Sequence, residues 1–293
     1  MKILVIGHRA MLAHELIPCL QQGHYEVVGC GRPAFDITQP ASIQALLAGV
    51  RPDIVINTAA YTAVDRVESE PAAAFAVNRD GVALLAKACH TMHVPLVHLS
   101  TDYVFDGAQR RPYREDDPTA PLSIYGQSKW AGEEAIRTFQ PQHMIVRTAW
   151  LYGAQGHNFV KTMLRLAHEQ QVVRVVDDQY GCPTWTRALA RALTVLCHAL
   201  RDDRHLSPWG TYHYCGAGHT SWYGFACAIF EAMRVAYPQR HYHLEAIPTV
   251  AYPTPAQRPA YTVLDCQKFE ATFGFAPRPW HESLRACLQE FSW

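Results

Sequence analysis

The chain has 293 residues, 49% of them hydrophobic and 18% charged, the profile of a soluble globular protein with room for a substantial core. Lys+Arg and Asp+Glu both number 26, so a net charge of zero gives no sign of nucleic acid as a partner. Nine scattered cysteines without a C-x-x-C spacing, and histidines without an H-E-x-x-H pair, argue against a disulfide framework or a metal site and suit a cytoplasmic location.

The first apolar run, Ile3–Ile6, stops at Gly7, far short of a secretory or membrane segment, so no membrane partner is expected. Further short apolar runs follow at 25–30, 53–57, 94–99 and 143–147, of the kind buried on both faces of a parallel sheet. Helical periodicity fills the intervals at about 10–21, 41–49, 71–91 and 123–139. Repeated βα units of this length predict an α/β fold with a doubly wound parallel sheet, a dinucleotide-binding Rossmann domain over 1–150. Beyond it, helices are predicted near 158–169, 184–201, 221–235 and 280–291, separated by Pro- and aromatic-rich loops. Residues 151–293 are read as a smaller, mainly substrate-binding region, with 172–201 a candidate to rejoin the first domain.

The first strand runs into Gly7-His8-Arg9-Ala10-Met11-Leu12-Ala13, where helix N–H groups and the helix dipole would face a pyrophosphate. The G-x-x-G-x-x-G spacing is held by Gly7, Ala10 and Ala13, so an ordinary βα turn competes with this reading. Gly7, Arg9, Ala10, Met11 and Leu12 are the candidate phosphate contacts. The second strand ends in Gly31-Arg32 instead of the acidic residue usual for NAD, and Arg32 with Arg9 suits a 2′-phosphate. NADPH is therefore expected over NADH, which stays open, with Asp36 and Ile37 completing that wall. Small residues after the third strand, Ala59 and Ala60 before Tyr61, would let a dinucleotide lie flat.

Ser100-Thr101-Asp102-Tyr103 follows the fourth apolar run, and Tyr125 and Lys129 lie four apart on the next helix, on one face. Carbonyl reduction needs a hydride at carbon and a proton at oxygen. A phenol with a pKa near ~10 needs a neighbouring ammonium before it serves at neutral pH. Tyr125 is the expected proton donor, Lys129 its stabiliser and cofactor contact, and Thr101 or Ser100 the hydrogen-bond partner of the carbonyl.

These residues resemble the extended short-chain dehydrogenase/reductases and, within them, the dTDP-4-dehydrorhamnose reductase family, over nearly the whole chain. The segments carrying the resemblance are Asn57–Glu70, His98–Gly107, Tyr125–Glu133, Arg147–Gly153, Asn158–Leu166 and Asp178–Thr184. The resemblance implies that Thr101, Tyr125 and Lys129 are catalytic, and that Ser100, Asp102, Tyr103, Trp150, Asn158 and Arg258 belong to the substrate site. It implies hydride transfer from NADPH to C4 of a nucleotide-sugar, dTDP-4-dehydro-L-rhamnose, and leaves a homodimer open. The chain departs from the family in its glycine-poor phosphate loop and in Ala260-Tyr261-Thr262, where x-N-S is common after Arg-Pro. Some members hold Mg²⁺ at a dimer contact; Glu15 matches one ligand, but Arg187 occupies another and would repel the ion. Three rivals remain: a related 4-ketoreductase of another nucleotide-sugar, an epimerase, and a non-catalytic NADP-binding subunit like the methionine adenosyltransferase β subunit. A 4,6-dehydratase is disfavoured because Tyr103 stands where a Glu would expel water.

Overall fold

The structure is a computed structural model that describes residues 1–169, 172–202, 208–236, 239 and 243–291. The other positions of the expected 151–293 region lie outside the described residues.

The apolar runs form strands and the periodic segments form helices, in strict alternation through the first half. In order these are β1 (Lys2–Ile6), α1 (Met11–Gln22), β2 (Glu26–Cys30), α2 (Pro40–Val50) and β3 (Ile54–Asn57). There follow the short α3 (Val64–Val67) and α4 (Pro71–Phe75), a π-helical turn Ala76–Gly81, α5 (Val82–Thr91), β4 (Leu96–Thr101), α6 (Ile124–Phe139) and β5 (His143–Thr148). The second half contributes β6 (Leu151–Tyr152), α7 (Phe159–Glu169), β7 (Val172–Val176), β8 (Tyr180–Gly181), β9 (Thr184–Trp185) and α8 (Thr186–Asp202). It ends with β10 (Gly210–His213), β11 (Thr220–Ser221), α9 (Trp222–Ala236), β12 (His243–Ile247), α10 (Gln267–Phe273) and α11 (Trp280–Leu288).

The main sheet has the order β10-β5-β4-β3-β1-β2, every pair parallel. The order reverses between β1 and β3, and ligands of open α/β sheets bind beyond the strand ends at such a point. One face of the sheet is covered by α1 and α8, with Leu16, Leu189, Leu193 and Leu196 in a shared core; the other is covered by α2, α5 and α6 around Ile43, Leu85 and Ile136. A separate apolar cluster joins α7, α9 and α11 through Val160, Phe225, Ile229 and Leu284.

Three features differ from the sequence expectation. The predicted helix 71–91 is interrupted by the π-helical turn, because α6 passes so close that a Cβ on Gly132 would lie 2.1 Å from the Asn78 carbonyl oxygen. The fourth strand starts two residues later than predicted and continues through Ser100 and Thr101, which pair with Arg147 and Thr148 of β5. The second half also supplies strands as well as helices: β10 extends the main sheet beside β5, and β7 pairs in parallel with β12. Among the described residues no helix is long and apolar enough to cross a membrane.

Behind α6 a buried ion pair ties the helix to the sheet. Arg147 of β5 donates from Nη2 to Glu133 Oε2 at 2.7 Å and from Nε to Oε1 at 2.9 Å, and Arg137 adds a bond of 2.8 Å. Burial opposes the charge of Glu133, but the two guanidiniums hold its carboxyl down at about 2. Its stabilising effect is therefore in place above the unfolded value of 4.5 and fades as pH falls toward 2. Replacing Arg147 with Met leaves Glu133 underpaired in the interior. Urea unfolding at pH 7 is expected to show a loss of roughly 3 kcal/mol, and a loss below one would mean that Arg137 alone satisfies the carboxylate.

Candidate active site

At the end of β1, Gly7 has φ +88°, and a Cβ there would lie 2.7 Å from the Ala59 amide nitrogen. Only glycine allows this turn to close against the end of β3. Thr58 fastens the junction by donating from Oγ1 to the Ile6 carbonyl at 2.8 Å. The helix α1 starts at Met11 with Ala10 as its N-cap, and no side chain caps its first N–H groups. These open donors at the positive end of the dipole suit a pyrophosphate, so the residues present fit a dinucleotide. Ala10 has φ −65° and ψ 149°, ordinary values for any L-residue, so the missing second glycine imposes no backbone strain. Ala13 is wholly buried in helix packing.

One cleft of about 980 Å³ runs from this turn to the end of β4. Its wall includes Gly7, Arg9, Ala10, Met11 and Leu12, then Arg32 and Ile37, then Ala59, Ala60 and Tyr61. Asp36 is not on that wall. It accepts from the Thr38 amide at 2.9 Å and the Thr38 hydroxyl at 2.8 Å, which hold its carboxyl below the ordinary range, and it lies 3.5 Å from Arg32.

The other end of the same cleft carries Ser100, Thr101, Asp102, Tyr103, Tyr125, Lys129 and Trp150. Thr101 ends β4 and caps the following 3₁₀ turn, its Oγ1 accepting from the Tyr103 amide at 3.2 Å and donating to Asp102 Oδ1 at 3.1 Å. Ser123 caps α6, whose first turns set Tyr125 and Lys129 side by side toward β4. Tyr125 shares a hydrogen bond with Thr101, and desolvation pushes its phenol up to about 12, with the Thr101 bond opposing. Lys129 is 2% exposed and donates to the Leu99 carbonyl at 2.6 Å. Burial brings its ammonium down to about 8, against the pull of Glu133. Asp102, also buried, is raised by desolvation to about 6, with hydrogen bonds from Thr262 and Thr101 opposing. Thr262, one of the departures from the family pattern, thus supports a wall residue from behind.

Two further expected substrate residues stand off the wall. Asn158 is buried at the start of α7, where Nδ2 donates to the Gly153 carbonyl at 2.8 Å and Oδ1 accepts from the Lys161 amide at 3.2 Å. Arg258 donates to Asp65 Oδ2 at 2.8 Å and hydrogen-bonds Tyr103, through which it reaches the cleft. Glu15 accepts from Arg187 Nε at 2.8 Å, and Arg187 also pairs with Glu290, so the cation meets two carboxylates at that position.

Some wall residues had no signal in the sequence. Trp222, the first residue of α9, stacks on Trp150 with centroids 3.5 Å apart and planes 6° from parallel; Trp150 itself is held at φ +45°. Thr148 of β5 lines the cleft with a buried hydroxyl that has no protein hydrogen-bond partner. Indole stacks and buried hydroxyls of this kind arise from distant segments, so no local spacing announces them.

A parallel sheet with a glycine turn at its switch point, and a Thr, Tyr and Lys brought together over one cleft, defines an oxidoreductase of the extended short-chain dehydrogenase/reductase class. The family model described as RmlD substrate binding domain matches residues 1–293. A protein named dTDP-4-dehydrorhamnose reductase from Sinorhizobium fredii is 42% identical over 97% of this chain and 96% of its own. The crystal structure of a dTDP-4-dehydrorhamnose reductase from Clostridium acetobutylicum superposes with TM-score 0.91 at 37% identity, covering 99% of both chains. That of the Bacillus anthracis dTDP-4-dehydrorhamnose reductase in complex with NADP gives TM-score 0.88 at 35% identity, again over 99% of each chain. The chain belongs to the dTDP-4-dehydrorhamnose reductase family.

The raised carboxyl of Asp102 has a consequence for stability. A group whose folded value lies above its unfolded 3.8 favours the fold when protonated, and that contribution is lost as pH rises through about 6. Asp102→Asn is therefore expected to be more stable than the wild type at pH 8, by on the order of 3 kcal/mol, and to converge with it below pH 4. Thermal melts of both proteins across pH 4–8 check this; parallel curves would show that Asp102 is not charged at the cost of stability.

Proposed function

We propose that this protein reduces the 4-keto group of dTDP-4-dehydro-L-rhamnose to give dTDP-L-rhamnose, with NADPH as hydride source. The observation that carries the reading is the convergence of Thr101, Tyr125 and Lys129 at one end of a cleft whose other end is the Gly7 turn and the uncapped start of α1. NADPH, when bound, supplies the hydride. Residues 1–150 would provide the dinucleotide site and Trp150, and 151–293 would add to the sugar side through Trp222.

Tyr125 donates its proton to the substrate oxygen at C4, while Thr101, turning its hydroxyl hydrogen from Asp102 to that oxygen, fixes its distance from the phenol. The burial that raises the Tyr125 phenol keeps it protonated and ready at neutral pH. Lys129 supports the phenol as it gives up the proton, and would hold a ribose hydroxyl of the cofactor. The stacked pair Trp150–Trp222 offers a flat apolar wall to one face of the sugar and excludes water from it. The Glu that would serve a dehydratase in expelling water is replaced by Tyr103 after the Thr-Asp pair.

The test is the loss of nicotinamide absorbance on mixing the protein, NADPH and enzymatically prepared dTDP-4-dehydro-L-rhamnose. Oxidation with dTDP-L-rhamnose as product supports the reading, and NADPH binding without turnover overturns the substrate. Tyr125→Phe is expected to lower kcat by about 10²–10⁴-fold with the NADPH dissociation constant unchanged by fluorescence titration. Full activity in that variant would remove Tyr125 as the donor. Arg32→Ala is expected to weaken NADPH by about tenfold, near the 1.4 kcal/mol of an exposed charge-assisted contact, and NADH hardly at all. An equal effect on both would remove the 2′-phosphate role of Arg32.

A further inference from the structure

A row of buried polar groups lies behind Lys129 and is not used in proton delivery as described. Asn57, at the end of β3, and His98, in β4, are both fully buried. Asn57 Oδ1 accepts from the Ala59 amide at 3.0 Å, and Asn57 Nδ2 lies 3.1 Å from His98 Nδ1. His98 Nε2 in turn lies 3.2 Å from Lys129 Nζ, which donates to the Leu99 carbonyl at 2.6 Å.

The donors and acceptors of this row leave one consistent assignment. A backbone N–H can only donate, so the oxygen of Asn57 must face Ala59 and its NH₂ must face His98. The NH₂ group has hydrogens to give and no lone pair to offer, so Nδ1 of His98 is the acceptor. A neutral imidazole then carries its proton on Nε2, aimed at Lys129. An ammonium there would set donor against donor. A neutral amine accepts from Nε2–H and still donates to Leu99.

We propose that His98 is a positioning residue for Lys129: oriented by Asn57, its Nε2–H meets the amine and disfavours the ammonium, so that Lys129 exchanges its proton in the pH range where the enzyme works. The inference deepens the proposed reductase reading and rests on it for its kinetic consequence. After Tyr125 has given its proton to the sugar oxygen, a lysine that exchanges readily returns one proton to the phenolate, becomes the neutral amine, and is reprotonated from water. A permanently charged lysine would return it more slowly.

The charged and titratable surroundings of Lys129 are few. On α6 itself Tyr125 lies one turn before it and Glu133 one turn after; from β4 come His98 and, beyond Thr101, Asp102; from β5 comes Arg147. Glu133 favours the ammonium, but its charge is shared between Arg147 and Arg137. Burial lowers the Lys129 ammonium and holds the His98 ring well below the ordinary range, so the imidazole stays neutral.

Two variants and one spectrum test the proposal. In Asn57→Asp both side-chain oxygens accept, so Nδ1 of His98 takes the proton and bare Nε2 accepts from the ammonium. In His98→Gln the amide oxygen can turn to the ammonium. Each is expected to move the alkaline limb of the kcat/KM profile upward by about one pH unit, the size of one hydrogen bond to a charged group. A merely structural defect would lower kcat/KM at every pH and leave the limb in place, and that result would overturn the proposal. The imidazole ¹⁵N spectrum, with His98 identified as the signal lost in His98→Gln, is expected to show a protonated Nε2 and bare Nδ1 in the wild type and the reverse in Asn57→Asp. A bare Nε2 in the wild type would also overturn it. Absence of turnover on the keto sugar would defeat the reductase reading instead, and the spectrum would still decide the tautomer.

Discussion

The closeness of α6 to the end of β4 is the constraint on which the rest of the site depends. A parallel strand leaves its last carbonyls without ladder partners, and here the Leu99 carbonyl takes the amine of Lys129. The amine reaches it because Gly132 lets α6 settle against the Asn78 carbonyl, at a distance no side chain would permit. The same contact opens the π-helical turn and turns the Asn78 side chain inward. There it accepts from the Tyr61 amide at 2.8 Å, donates to the Tyr61 carbonyl at 3.0 Å and donates to Ser128 Oγ at 3.0 Å. One buried asparagine thus clamps the cleft wall after β3 to the helix that carries the phenol.

Burying an amine, a carboxyl and an imidazole within one layer is unfavourable unless each has partners. The structure supplies them in two rows. Glu133 is answered by Arg147 of β5 and by Arg137 of its own helix, while Lys129 is answered by Leu99 and His98 of β4. The first row gives α6 a fixed anchor. The second leaves the lysine poorly held as a charge, and an active site works with groups that change charge easily. Stability and chemistry are thereby assigned to successive turns on one face of the same helix.

The second half of the chain completes the first in ways that a boundary near residue 150 hides. The strand β10 closes the sheet beside β5, and α8 covers the face that α1 leaves open. Trp222, from α9, stacks on Trp150 beside the end of the cleft that holds Thr101 and Tyr125, and Thr262 supports Asp102 from the loop before α10. The cleft is therefore a joint product of both halves, with strand ends of the parallel sheet along its floor and Trp222 stacked on Trp150 at its wall.

The sequence by itself determined the alternating βα architecture, the Gly7 turn and the Tyr125–Lys129 pair, because each is encoded within a few residues by periodicity, backbone conformation or helical spacing. That Arg32, Thr101 and Trp150 stand on the cleft wall was legible in the same way, from their places near strand ends. That Asp36 stands off it was not, since an acidic residue a few positions past a strand reads alike whether it lines a cleft or caps a turn. Asn158 and Arg258 carry the right chemistry in the right segments, but Gly153 and Asp65 take up their hydrogen-bonding groups. Only the tertiary structure decided that β10 joins the main sheet, that Trp222 covers Trp150, and that His98 stands between Asn57 and Lys129. Each of those depends on segments from 31 to 72 residues apart being pressed into contact, and burial then fixes which donors and acceptors must meet.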